Sequence, residues 1–342
     1  MKKSAAIKNI KQLNKLMKSA KHLLIVVHTN PDPDAIASAY ALQYIANKKY
    51  NLEASIGYSG NIGRAENQAM VKELNIYMKQ TAKINWDKYD RIAMVDTQPG
   101  SGNNVLPDDI KCHLVLDHHP LKGKKEKADL SYIDTDLGVL ATMLIEWIQA
   151  FDLDIQADLA TALVYAINSE TQYLKREVNK RDIDAYLHVY MRSNLRKLAS
   201  IVFPALPKSY FLNVSKTLQK AKSYRNLILV HLGNTSSAEI VPEMADLLVR
   251  HERISWSLCT GRFKDRLVLS LRSRNTKAQA GKMVRGLVKS SKTVGGHDTY
   301  AGGYVDISDM KENDIIILEN KMSKKYAELH NYEKPVWKPL LD

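Results

Sequence analysis

The sequence predicts an α/β protein of two domains: a parallel sheet in the N-terminal domain, then a smaller α/β domain, with a cleft expected between them. Three observations lead there. Short continuous apolar runs alternate with amphipathic segments of helical length, the pattern of a parallel sheet wrapped by helices. Polar clusters follow directly after several of those runs, where open α/β sheets collect ligands. At 342 residues the chain is also longer than one ordinary small core.

Taken in order, residues 7–20 place Ile7, Leu13, Leu16 and Met17 at helical spacing with lysines between them, an amphipathic leading helix. Residues 23–27 form an unbroken apolar run suited to a buried parallel strand. Residues 35–46 read as a helix, 53–56 as a second strand, and 92–95 and 113–116 as two further buried strands. Residues 138–149 and 158–167 are expected to be helices, the second with Leu159, Leu163 and Ile167 on one face. Residues 180–222 look helical and basic. Pro204 and Pro207 interrupt them, so 204–209 is the expected hinge. A second pattern follows: strands at 226–231, 254–259 and 266–271, helices at 238–250 and 276–289, and a strand at 315–318. The domain limits expected from this are 1–190, a helical linker at 191–222, and 223–342.

Composition narrows the function classes. No apolar run approaches the roughly 20 residues of a membrane span. The basic start, Met1-Lys2-Lys3-Ser4, is not followed by an apolar stretch, so no signal peptide is read. Cys112 and Cys259 are the only cysteines, which fits a reducing cytoplasm and argues against a disulfide scaffold or a thiolate zinc site. The net charge of +13 favours an anionic partner: nucleotide, RNA, DNA or polyphosphate. No membrane partner is expected. The oligomeric state is left open, a homodimer included.

Three clusters carry the chemistry. Residues 28–34 read His28-Thr29-Asn30-Pro31-Asp32-Pro33-Asp34; Asp96 closes the run at 92–95; Asp117-His118-His119 follows the run at 113–116. Each alone has a plainer reading, as a turn, a helix cap or a solvated loop. Together, on successive strand ends of one sheet, they suit a cage for two hard divalent ions. Pro31 and Pro33 stiffen the first loop. Asp96, with two carboxylate oxygens, can bridge two ions, and His118 supplies nitrogen. Mixed oxygen and nitrogen ligation without thiolate suits Mn²⁺, with Mg²⁺ or Co²⁺ as substitutes. Two such ions about 3.5–4 Å apart activate water and stabilise an in-line phosphoryl transfer.

These residues resemble the DHH phosphoesterase superfamily. The likeness runs through 28–38, Val95-Asp96-Thr97 and Asp117-His118-His119-Pro120. In the second half, Ser270-Leu271-Arg272-Ser273-Arg274, Gly295-Gly296-His297 and Ala301-Gly302-Gly303 resemble the companion DHHA1 domain. The resemblance implies a two-metal, typically Mn²⁺-dependent hydrolase of phosphoester or phosphoanhydride bonds. His28 and Asp32 would hold one metal, Asp34 and His118 the other, and Asp96 would bridge. Asp117 would orient the histidine pair, and His119 would face the scissile phosphate. Asn30, Arg272, Ser273, Arg274, Gly295, Gly296 and His297 would contact substrate.

Three departures stand out. Ala37 replaces the usual glycine, Val294 replaces a third glycine before His297, and Glu170 stands where the family's last metal-ligating aspartate is expected. Among branches, the one acting on short RNAs and 3′-phosphoadenosine 5′-phosphate fits best. The lysines at 122, 124, 125 and 127 could guide a phosphate chain. A cyclic di-AMP or linear dinucleotide phosphodiesterase, a RecJ-like single-strand exonuclease and a degenerate, non-catalytic nucleotide sensor are the alternatives. Family II pyrophosphatases are disfavoured by Gly295-Gly296-His297.

Overall fold

The computed structural model describes residues 3–18, 20–120, 128–175, 178–288, 293–296 and 298–341, with the backbone alone for 3–9. The chain divides into two units, Met1–Ala205 and Leu206–Asp342.

The first unit runs α1 (Lys3–Met17), β1 (His22–Val27), α2 (Pro33–Tyr50), β2 (Glu53–Tyr58), α3 (Ala65–Glu73), β3 (Met78–Gln80), β4 (Arg91–Val95), β5 (Cys112–Asp117) and β6 (Ala128–Ile133), then α4 (Ala141–Ala150), α5 (Ala157–Glu170), α6 (Lys180–Tyr190) and α7 (Leu195–Val202). Its six strands are all parallel, in the order β3-β2-β1-β4-β5-β6. Leu23, Leu24, Ile25 and Val26 are fully buried, as a central parallel strand covered on both faces requires. The chain leaves β1 toward β2 and β3, then crosses back and continues from β4 toward β5 and β6. Between β1 and β4 the connections therefore depart in opposite directions. That parting opens a crevice at the carboxyl ends of these strands.

The second unit runs α8 (Lys208–Lys220), β7 (Lys222–Tyr224), β8 (Leu227–Asn234), α9 (Ile240–Leu248), β9 (Trp256–Phe263), β10 (Arg266–Ser273), α10 (Ala280–Leu287), β11 (Val294–Gly296), β12 (Tyr300–Asp306), α11 (Glu312–Glu328) and β13 (Lys338–Pro339). Its seven-stranded sheet is mixed, in the order β11-β12-β10-β9-β8-β7-β13, with only β8 and β9 parallel among the described strands. Alternate residues feed opposite layers. Leu229 and Leu258 pack with Val284 and Tyr326, while Val230 and Cys259 pack with Val241 and Met244.

The fold class and most elements fall where the sequence puts them, with three corrections. Residues 315–318, expected as a strand, lie in α11. Ile316 and Ile317 are exposed there, and Ile315, Met322 and Tyr326 are buried, a helical period visible only over a longer window. Residues 191–222, expected as a linker, are shared between the units as α7 and α8, and the division falls at 205/206. Finally, β3, β6, β7, β11, β12, β13 and α3 were not foreseen. Short or glycine-bearing strands such as Val294–Gly296 and Tyr300–Asp306 carry too little apolar alternation to be read locally.

Candidate metal centre

Three adjacent parallel strands end side by side and deliver the clusters. His28 follows β1, Asp96 follows β4, and Asp117 closes β5 ahead of His118 and His119. Asp96 adopts φ 58°, a left-handed turn that aspartate tolerates, and its N–H donates to Leu116 O at 2.9 Å. Asp32 is the N-cap of α2: its Oδ1 accepts from Ala35 N at 3.0 Å, and Pro33 opens the helix with φ already set. Asp34 is buried. Its Oδ1 accepts from Ser38 Oγ (3.0 Å) and Ala141 N (2.8 Å), and its Oδ2 from Leu140 N (2.6 Å). No side chain of α4 caps its own first turn, so Asp34 caps that helix from across the loop.

The imidazoles are held in one tautomer. His28 Nδ1 bonds Thr29 O at 3.0 Å, and His118 Nδ1 bonds Leu137 O at 3.1 Å. Carbonyls only accept, so both Nδ1 atoms carry a proton and both Nε2 atoms are turned toward the carboxylates. His28 Nε2 lies 3.6 Å from Asp32 Oδ2 and 3.6 Å from Asp96 Oδ2. His118 Nε2 lies 3.5 Å from Asp96 Oδ1 and 3.7 Å from Asp34 Oδ2. His119 differs: its Nδ1 is 2.9 Å from Asp117 Oδ1 and 3.4 Å from Asp96 Oδ1. Among the described residues, His28, Asp32 and Asp96 form one group whose ligand atoms all lie within 4.8 Å of one another, and Asp96, His118 and His119 form another. Asp96 belongs to both.

These contacts fit a cation better than they fit hydrogen bonds. Most exceed the 2.7–3.2 Å of a good N–H···O bond. Two atoms about 2.1 Å from one ion and about 110° apart lie about 3.4 Å from each other. The Oδ1 of Asp96, buried and aimed among the imidazoles, has no hydrogen-bond partner. A buried carboxylate oxygen left so is costly unless a cation completes it. Oxygen and imidazole donors without thiolate suit Mn²⁺, Mg²⁺ or Co²⁺.

The electrostatics agree. Burial, then the neighbouring Asp96, pushes Asp34 up to about 7. Burial, then Asp32, Asp34 and Asp96, pushes Glu170 up to about 8. Burial works against ionised Asp96, yet His119 and His28 hold its carboxyl well below the usual range. Burial also works against charged His28 and His118, and the carboxylates reverse it for both. For His119, burial is outweighed by Asp117 and Asp96, which raise it to about 11. Without a metal, these shifts favour proton retention by the cluster.

Asp117 acts on the turn. Its Oδ1 accepts from the backbone N–H of His118 (2.8 Å) and His119 (3.0 Å), and its Oδ2 accepts from Gln98 Nε2 at 2.8 Å. Gln98 also donates to His119 O at 3.1 Å. Sequence reasoning missed this buried glutamine; its only signal is its place two residues beyond Asp96. Glu170 is the last residue of α5 and lies in neither ligand group, though the carboxylates of the cluster act on it. Asn30, with φ 56°, accepts from Asn61 N at 2.8 Å, so its Oδ1 ties the first loop to the turn after β2.

The second-domain residues gather within their own unit. Arg272, near the end of β10, pairs with Tyr300 of β12, and Gly295 and Gly296 of β11 pair with Gly302 and Ala301. Arg272 Nε lies 2.5 Å from Asp246 Oδ1, and the guanidinium sits 5.8 Å from the Tyr300 ring. Ser273 is buried and its Oγ accepts from Asn275 N; Arg274 is exposed. A Cβ on Gly296 would strike the Tyr300 carbonyl oxygen, whereas one on Gly295 would meet nothing within 4 Å among the described residues. His297 and the lysines at 122, 124, 125 and 127 lie outside the described residues.

A parallel sheet whose strand ends carry a shared aspartate between two histidine–carboxylate groups defines the class: an α/β protein with a candidate dinuclear metal centre. Residues 22–167 match the model for the DHH family, N-terminal domain. The match falls within the first unit, which is thus similar to a DHH domain. An uncharacterized protein of Methanocaldococcus jannaschii is 32% identical over 321 residues, covering 90% of this chain and 64% of the relative. A probable manganese-dependent inorganic pyrophosphatase of Lactobacillus delbrueckii is 29% identical over 209 residues, 60% of this chain and 63% of the relative. The chain thus spans somewhat under two thirds of both relatives. In fold it is similar to an exopolyphosphatase-related protein from Bacteroides fragilis, with a TM-score of 0.75 at 15% identity over 96% of this chain and 100% of that one. RecJ from Thermus thermophilus, solved in complex with Mn²⁺, gives a TM-score of 0.54 at 12% identity over 98% of this chain and 56% of that one. Among the described residues no helix is long and apolar enough to cross a membrane.

Proposed function

We propose that this chain is a metal-dependent phosphoesterase that hydrolyses phosphate esters of short oligonucleotides or nucleotides. The observation that carries the reading is Asp96, buried, with one carboxylate oxygen toward His28 and the other, unpartnered, toward His118 and His119. His28 and Asp32 would hold one divalent ion, Asp34 and His118 a second, and Asp96 both, with Glu170 completing the set. Manganese is the favoured ion; the pyrophosphatase relative is described as manganese-dependent. A pair of ions held there supplies hydroxide at neutral pH and positive charge against the phosphoryl oxygens.

The chain's own groups do the rest. Asp117 takes up His119 Nδ1 and so sets the orientation of the ring. Held protonated by Asp117 and Asp96, that imidazolium would bind a phosphoryl oxygen and pass its proton to the departing ester oxygen as the P–O bond breaks. Asp34 spends three hydrogen bonds on its own helix α2 and the start of α4, which fixes its remaining lone pairs toward His118. Arg272, Arg274 and the Gly295–Gly296 strand are the proposed substrate-holding part of the second unit, by bidentate phosphate contacts and close backbone approach.

A panel with Mn²⁺ tests the reading: a 5′-phosphorylated dinucleotide, 3′-phosphoadenosine 5′-phosphate, cyclic di-AMP, pyrophosphate and longer single-stranded DNA. Preferred turnover of the first two supports it. Mn²⁺ binding without turnover of any substrate would favour the nucleotide sensor. A second reading, inorganic pyrophosphatase, is favoured by the L. delbrueckii relative, and pyrophosphate as the best substrate would establish it in place of the first.

A further inference from the structure

The second unit contains a cavity that the proposed activity does not use. It has a volume of about 350 Å³ and lies among the end of α8, strands β7 and β8, helix α11 and the segment around β13. β13 is formed by Lys338 and Pro339 pairing with Ser223 and Lys222, which sets Trp337 and Pro339 as one wall. In the order of the sheet this is the edge opposite β11, where Gly295 and Gly296 lie.

The lining has a consistent chemistry. Lys220 and Lys222 contribute two cations, and among the described lining residues there is no carboxylate. Lys220 Nζ donates to Leu232 O at 3.0 Å, which uses one of its three protons. The indole of Trp337 is backed by the buried ring of Tyr326, nearly parallel to it at 5° with centroids 6.2 Å apart. His231 adds a fixed polar point: its Nε2 is 2.8 Å from Ser323 Oγ and its Nδ1 is 2.7 Å from Thr260 Oγ1. Thr260 in turn donates to Glu319 at 3.2 Å. Burial, aided by the charges of Lys222 and Arg262 against that of Glu319, holds His231 below its ordinary range, so the imidazole adds no charge to the lining and its two nitrogens stay engaged by Thr260 and Ser323. Asn320 and Ser323, three residues apart, share one face of α11. A histidine that merely completed bonds between sheet and helix would account for Thr260 and Ser323. It would not account for two lysines and a backed indole around an open volume.

We propose that this cavity binds a nucleoside monophosphate, its phosphate on Lys220 and Lys222 and its base against Trp337. The volume is in the range of small-ligand sites, and a base stacked on an aromatic ring is held whatever its sequence. Inorganic phosphate shares the anionic chemistry and lacks the ring, so the two sources separate experimentally.

The test is isothermal titration of the full chain in EDTA, which keeps the metal centre out of the measurement, with AMP and separately with inorganic phosphate. AMP should bind one per chain and more tightly than phosphate. Lys222→Glu, at an exposed position, should weaken AMP about tenfold or more, and Trp337→Leu should weaken AMP by a similar factor while leaving phosphate unchanged. Thermal melts establish that the variants fold; should Trp337→Leu fail to, Lys222→Glu decides. No heat with AMP, phosphate bound as tightly as AMP, AMP binding unaltered in Lys222→Glu, or AMP binding lost in Asp96→Asn would each overturn the proposal.

Discussion

In the first unit Asp96 is 3% exposed and its Oδ1 has no hydrogen-bond partner; in the second, Glu319 is 6% exposed and accepts from Thr260 at 3.2 Å and Arg262 at 3.1 Å. Both are buried carboxylates beside a sheet. The second is neutralised by a cation of its own unit, and Arg262 also reaches Glu312 at 2.5 Å. The first has only imidazoles and other carboxylates around it. The difference follows from the sheets. In the parallel sheet the chain reverses its direction of travel between β1 and β4, so loops there leave a crevice that backbone does not fill. In the mixed sheet, α11 lies across β8–β10 and brings Glu319 to meet the arginine. Burying a charge is tolerable when it is paired. In the first unit the histidines supply that charge only while they hold protons, and a metal would take the protons' place.

Asp96→Asn should break this contrast most strongly. Asparagine keeps the size and the tolerance of a left-handed backbone, so the fold should persist. The bridge between the two groups would lose its charge. Hydrolysis should fall about a thousandfold or more, the scale of several kcal/mol that metal ions contribute, and bound Mn²⁺ should drop below two per chain. Activity within a few fold of wild type at matched Mn²⁺ would remove Asp96 from the centre.

Arg272→Ala is the corresponding change in the second unit, and its expected signature is different: KM raised about tenfold, with Mn²⁺ stoichiometry unchanged. Because Arg272 is paired with Asp246, the alanine variant also removes that ion pair. Arg272→Lys, which keeps the charge and loses the planar fork, separates the effects: KM should still rise while the melting temperature recovers. A loss of metal in either variant would contradict the division of labour between the units.

How much of this was legible beforehand depends on the same contrast. His28, Asp32, Asp34, Asp96, Asp117, His118 and His119 announce themselves, because polar residues directly after apolar runs are conspicuous and strand ends of a parallel sheet are close by construction. The roles of their neighbours were not legible. That Asp34 caps α4 depends on a contact 106 residues away, and Gln98's grip on Asp117 on a turn that no period predicts. Asn30 was read as a substrate contact from its motif, yet the bond to Asn61 N that occupies its Oδ1 needs β2 in place first. The second sheet was harder. Its edge strands are short or rich in glycine, and Ile315, Ile316 and Ile317 imitate a strand until the helix around them is seen whole.

The protonation of the two units sharpens the contrast with a smaller effect. In the metal-free chain the first unit raises Asp34 to about 7 and Glu170 to about 8, and raises His28, His118 and His119. Between about pH 5 and 8 it therefore holds more protons folded than unfolded. The stability linked to these groups is present below their unfolded pKa values and lost as pH rises through the folded ones. Asp96, depressed, acts oppositely but only in the acid range where its carboxyl titrates. In the second unit burial lowers His330 to about 4 and also lowers His231. There the unfolded state holds more protons, so stability rises with pH up to about 6.5 and is lost as pH falls toward 4. Hydrogen-exchange protection in EDTA should thus fall in β4 and β5 from pH 6 to 8, while that of β8 and β9 should rise from pH 4.5 to 6.5. Saturating Mn²⁺ should reverse the first trend only, since it replaces the protons. Parallel trends in both units would show that the cluster does not control the first.

Glu170→Asp is expected to have the smallest effect of the four, and it asks whether the centre reaches the end of α5. Glu170 has its pKa pushed to about 8, by burial and then by Asp32, Asp34 and Asp96, yet it lies in neither close ligand group. The turn after it places Gln172, Tyr173 and Leu174 all at positive φ, between 49° and 61°. Three successive left-handed residues without glycine are strained, and strain of this kind persists only where the surroundings enforce it. A backbone so constrained has little room to follow a shorter side chain at Glu170. Shortening that side chain by one methylene should open a gap at one ion, lowering turnover by less than about tenfold and weakening one Mn²⁺ site, because Mn²⁺ and Mg²⁺ sites are sensitive to such displacements. Glu170→Ala should cost more, since it removes the charge as well. A faster Glu170→Asp enzyme would mean that the loop never adjusted to glutamate. Unchanged Mn²⁺ affinity and rate in both variants would mean that Glu170 touches no metal, and the candidate centre would then be completed by the residues of the three strand ends alone.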